Sequence, residues 1–93
     1  MNRTEAQTIL RQELAAYRNR QYQELLRLLE TQDVKEIRGP SGVMYQLEFQ
    51  AFWDDCVSGP LRVIGAIDDG GLRAFLPLTE DFIIGPDGGF IGE

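Results

Sequence analysis

Apolar residues recur at Ala6, Leu10, Leu14 and Tyr17, with Ile9 alongside, a spacing that lines one face of an α-helix. A second stripe, Tyr22, Leu25, Leu26 and Leu29, follows the same rule but is shifted by one residue across Arg18-Asn19-Arg20. Helix is therefore expected from about residue 4 to residue 31. The phase slip favours two helices, with Asn19 closing the first and the second starting near Gln21, over one drifting helix. Thr4-Glu5-Ala6-Gln7 has the form of a capping box at the start.

From Asp33 the period changes to two. Val34–Arg38 predicts a short strand that stops at the turn cluster Gly39-Pro40-Ser41-Gly42. Met44–Asp54 predicts a long one, because Tyr45, Leu47, Phe49, Ala51 and Trp53 alternate with Gln46, Glu48 and Gln50. Leu61–Asp68 is apolar on both sides (Leu61, Val63 and Ile67; Ile64 and Ala66), the mark of a central strand. Asp68-Asp69-Gly70-Gly71 reads as a tight hairpin turn, and Leu72–Leu78 as the strand that completes it, with Pro77 at its end. Glu80–Ile84 fits a helical turn or a short strand. Pro86–Gly89 is a further turn, and Phe90-Ile91 a terminal strand or tail. The expected fold is α+β: an N-terminal helix or helical hairpin packed on one face of a 4–5-stranded antiparallel meander, in one domain spanning residues 1–93 (helical 4–31, meander 33–93).

Composition narrows the classes of function. The hydrophobic fraction of 43% is that of a folded domain, and no apolar run approaches the ~20 residues of a membrane span. The first residues, MNRTEAQTILRQ, lack the apolar stretch of a secretory signal. A single cysteine, Cys56, cannot form an internal disulfide, so a reducing, bacterial-type cytoplasm is the expected location. The net charge of −6 is unevenly spread: residues 1–38 carry seven basic and six acidic residues, residues 39–93 two basic and nine acidic. Phosphate recognition needs the opposite balance, so nucleic acid is not an expected partner. A basic helix on an acidic sheet points instead to charge complementarity within the chain or between chains.

Candidate chemistry is thin. Histidine is absent, which removes the commonest general base and most transition-metal sites. Cys56 sits beside Asp54 and Asp55, the reverse of the electropositive setting of a reactive thiolate, and reads as a half-buried loop cysteine. The pairs Asp54-Asp55 and Asp68-Asp69 offer oxygen ligands, but neighbouring antiparallel strands would place them at opposite ends of the sheet, and turn formation accounts for both. The glycine pairs fit turns rather than a phosphate cradle. No catalytic residue, metal site or cofactor is therefore expected. Tyr45, Phe49, Phe52, Trp53 and Phe75 either build the core or line a pocket; if a pocket exists, Tyr45, Trp53, Asp68 and Arg73 are the residues to test. Arg11, Arg18 and Arg27 read as a solvated helix stripe.

The runs IRGPSGVMYQLEFQAFWDD (Ile37 to Asp55), RVIGAIDDGG (Arg62 to Gly71) and AFLPLT (Ala74 to Thr79) make residues 20–93 similar to small uncharacterised bacterial proteins of unknown function. That resemblance implies no activity and carries over no catalytic residue. The helix-on-meander pattern also resembles the NTF2-like and cystatin-like folds, although this chain is shorter than the former and lacks its further long helices. The function expected is that of a non-catalytic interaction module, a homodimer or a partner-masking protein of the immunity or antitoxin kind. The alternative is a small-molecule-binding domain or minor enzyme with a sheet-lined pocket.

Overall fold

In the computed structural model of the chain, residues 2–71 and 76–92 are described. Helix α1 spans Arg3–Arg18 and buries Ala6, Ile9, Leu10, Leu14 and Tyr17, the stripe that its spacing predicts. Its cap is Asn2, whose side-chain oxygen accepts from the Glu5 amide at 3.0 Å, and not Thr4. The start lies earlier because Gln7 and Glu5 point elsewhere: Gln7 donates to Glu80 on the sheet, and Glu5 is taken by the first β-turn. The helix stops at Asn19. Gln21, in extended backbone, caps a second helix α2, Tyr22–Leu25, through a capping box with Glu24, and a 3-10 helix Leu26–Leu29 follows. Two helical segments are thus present, as the phase slip predicts.

Strand β1 (Asp33–Arg38), β2 (Met44–Trp53), β3 (Leu61–Asp68), β4 (Leu78–Ile84) and β5 (Phe90–Ile91) form one antiparallel sheet in sequence order. The predicted strand Leu72–Leu78 falls largely on 72–75, which lie outside the described residues. The described partner of β3 begins at Leu78, opposite Ile67. Glu80–Ile84 belongs to this strand and is not a helical turn. Its period is masked by Glu80, a charged residue on the helix side that Arg11 and Gln7 of α1 accommodate.

α1 packs on β3 and β4, and the 3-10 helix on β2. Tyr45, Leu47, Phe49, Ala51, Leu61, Val63, Ile67, Phe82 and Ile84 meet the helices and are buried. Gly65 explains why the layers fit: a Cβ there would lie 2.7 Å from the Phe49 ring and 3.0 Å from Leu10 Cδ1. The Phe49 ring lies over Gly65, its cross-strand partner, and stacks on Tyr17 with centroids 4.4 Å apart. A side chain at 65 would leave no room for it.

Candidate interaction face

Polar groups fasten the helical layer to the covered face. Tyr17 Oη donates to Asp33 at 2.6 Å, and Arg27 grips the same carboxylate with two nitrogens at 2.8 and 2.9 Å. The Arg27 fork, followed by the Tyr17 hydroxyl, brings the Asp33 carboxyl down to about 2. Burial, reinforced by the Asp33 charge, pushes the Tyr17 phenol up. At the other end, Glu5 accepts from the Ser41 amide (3.0 Å), the Ser41 hydroxyl (2.6 Å) and the Tyr45 hydroxyl (2.7 Å). Those bonds, Ser41's first, lower the Glu5 carboxyl. Gly39 leaves space for this clamp, since a Cβ there would stand 2.6 Å from Glu5 Oε1. These clusters hold structure, and their partners are used up in doing so.

The other face of the sheet is built by the alternate residues of the same strands. Cross-strand register sets them in rows: Glu36, Gln46, Asp68; Val34, Glu48, Ala66, Thr79; Gln50, Ile64, Asp81; and Phe52, Arg62, Ile83, Ile91. No described helix packs on this side. Phe52 is 49% exposed, Val34 51% and Ile91 46%, while Ile64, Ala66 and Ile83 are only half buried by their neighbours in the sheet. Arg62 lies between Asp54, with Nη2 to Oδ1 at 2.8 Å, and Asp81, and those two carboxylates, Asp54 first, raise its affinity for its proton. Toward the opposite end of the strands Glu36, Glu48 and Asp68 meet no cation among the described residues, and Asp68 accepts only from the Gly70 amide.

The four residues singled out for a pocket are not gathered. Tyr45 and Trp53 both point to the helix side, but they are eight residues apart on β2, about 26 Å along a strand. Asp68 lies at the Tyr45 end on the opposite face, opposite Gln46. Arg73 and Phe75 lie outside the described residues. Asp54 and Asp68 fall at opposite ends of the sheet, and no three acidic or thiol side chains converge among the described residues. Cys56 is exposed rather than half buried; the loop 54–60 meets the helices at Gly59, whose carbonyl accepts from Tyr22 Oη at 2.7 Å, away from the thiol. Surface hollows sit at the rim of the fold. One of about 410 Å3 is lined by residues of 18–23 and 84–90, with Arg18 stacked on Phe90 at 4.4 Å. Arg11 and Arg27 are half exposed or more, as a solvated stripe requires, and are also paired with Glu80 and Asp33 of this same chain.

Sequence reasoning names Phe52 only as a core or pocket aromatic and passes over Ile83 and Ile91, whose grouping with it depends on strand order. The apolar residues on both sides of β3 were the signal that pointed to this face. Among the described residues no helix is long and apolar enough to cross a membrane. Compared with family models, with curated proteins and with solved structures, the chain matches none of them.

Proposed function

We propose that this chain is a non-catalytic protein-interaction module whose docking surface is the open face of the sheet. One observation carries the reading. Phe52, Ile64, Ile83 and Ile91 stand partly exposed around Arg62 on the side of the sheet opposite the helices, with carboxylates on the neighbouring positions. Apolar groups left half exposed together favour association, since covering them releases ordered water. The occupant is another polypeptide, a second copy or a different chain, and an immunity- or antitoxin-type role is one form this would take. The same reading puts the protein in the cytoplasm, where an exposed, unpaired Cys56 is compatible with the redox environment.

Light scattering of the purified chain and affinity capture from its own host test the reading together, each with the wild type and with Ile64→Arg. The reading expects either a dimer or a specific captured protein, lost on placing an arginine in the middle of the open face. A strict monomer that captures nothing overturns it, as does binding that Ile64→Arg leaves intact.

A further inference from the structure

Resting on that docking face, we infer that its occupant is a different chain: an amphipathic helix whose apolar stripe ends in clustered lysine or arginine. The face is divided along the strands. Phe52, Ile64, Ile83 and Ile91 occupy one half, where the charges of Arg62, Asp54 and Asp81 largely answer one another. Glu36, Glu48 and Asp68 occupy the other, with the exposed Val34 and Met44 beside them. The nearest base there, Arg38, is turned to the Gly42 carbonyl at 3.1 Å.

That division argues against a second copy. A two-fold axis along the strands would set the acidic half against its own image, three carboxylates facing three. A two-fold axis across the strands would press the carboxylates onto Phe52 and Ile83. Each arrangement desolvates more carboxylates than Arg38 at one end and Arg62, already shared by Asp54 and Asp81, at the other can answer, and that costs more than the apolar contact returns. A basic, apolar partner removes both penalties.

The covered face shows how this sheet accepts a helix. α1 gives Leu10 and Leu14 to the strands and lays Arg11 against the inward Glu80 at 3.4 Å. The open apolar group runs from β2 to β5, three strand spacings or about 14 Å, close to the ~10–12 Å width of one helix. A helix laid there with its apolar side down carries its basic end over Glu36, Glu48 and Asp68.

NMR titration of the labelled chain with two synthetic amphipathic helices of about 18 residues, one of leucine and lysine and its twin of leucine and glutamate, tests this. The leucine–lysine peptide is expected to shift amides of Glu48, Ile64 and Ala66. The twin is expected to bind at least about tenfold more weakly. Charge reversal in the double variant Glu36→Lys, Glu48→Lys, both exposed or half-exposed positions, should invert that preference without altering the fold. Ile64→Ser should weaken both peptides alike. Shifts that map to the outer side of α1, equal binding of the two peptides, a preference that charge reversal leaves unchanged, or no response at ~1 mM would each overturn the inference. A dimer in light scattering that Ile64→Arg dissociates would overturn it too, yet leave the docking-face reading standing. A strict monomer that captures nothing, or capture and dimerisation indifferent to Ile64→Arg, would remove both.

Discussion

The two faces of this sheet are made by the same strands, residue by alternate residue, and they obey different rules. On the covered face the side chains are apolar and buried, and the few polar groups that enter are answered in pairs: Glu80 by Arg11 and Gln7, Asp33 by Arg27 and Tyr17, Glu5 by Ser41 and Tyr45. On the open face apolar residues stand half exposed, and three carboxylates have no described cation. One face is complete within the chain and the other is not. If that contrast is real, equal chemical changes on the two faces should have unequal consequences.

The widest gap is expected between two phenylalanines on one strand. Phe49→Ala opens a cavity against Tyr17, Leu10 and Gly65 and should cost about 3–5 kcal/mol, enough to unfold much of the population of a domain this small. Phe52→Ala, half exposed on the other face, should cost no more than about 1 kcal/mol. Urea denaturation followed by circular dichroism measures both, and comparable losses would mean that the open face is covered after all. The next gap is between neighbours on β3. Gly65→Ala drives a methyl into the Phe49 ring, which Tyr17 prevents from yielding, and should cost about 1–3 kcal/mol. Ala66→Ser, one residue on and facing outward, should stay within about 0.5 kcal/mol.

The same contrast explains which parts of the fold could be read from the residues. β2 and β3 were legible because their inward positions are apolar without interruption, Tyr45 to Ala51 and Leu61 to Ile67, with glycine at 65. β4 reads as either a helical turn or a short strand because Glu80 takes an inward position and breaks the alternation of Leu78, Phe82 and Ile84; its partners Arg11 and Gln7 are about 70 residues away in the chain. The helical break was legible from the phase slip. The choice of Asn2 over Thr4 as cap was not, since it depends on Glu5 reaching Ser41 across the fold. The grouping on the open face is a property of register: Phe52, Ile64, Ile83 and Ile91 are unremarkable singly and share one side only once four strands are aligned.

A smaller effect, with a pH signature, belongs to the covered face. Asp33→Asn removes the carboxylate that joins Arg27 and Tyr17 and should cost about 1 kcal/mol at neutral pH, the half-exposed Arg27 being screened by water. The folded-state carboxyl titrates at about 2, below its ordinary 3.8, so its contribution is complete above about pH 4. It is lost as the pH falls from there toward 2. Glu5 is lowered too, so the wild type alone would not separate them. The difference in melting temperature between wild type and Asp33→Asn isolates Asp33, and it should shrink across that window. A difference that is constant from pH 7 to pH 2 would show that Asp33 acts through shape and not through charge.

The smallest change in stability is expected where the ion pairing looks most extensive. Arg62 touches two carboxylates, yet the three side chains are a quarter to two-fifths exposed, so water competes for them and salt screens much of what remains. Arg62→Ala should therefore leave the melting temperature within the error of the measurement. Its effect should appear in binding instead. Without the guanidinium, Asp54 and Asp81 join Glu36, Glu48 and Asp68, and the charge that offsets one of those two carboxylates is lost. The variant should bind the leucine–lysine helix with a steeper dependence on salt than the wild type, because more fixed charge then contributes to the encounter. A clear loss of stability with unchanged salt dependence would place Arg62 among the structural pairs of the covered face, and the division between the two faces would have to be redrawn around it.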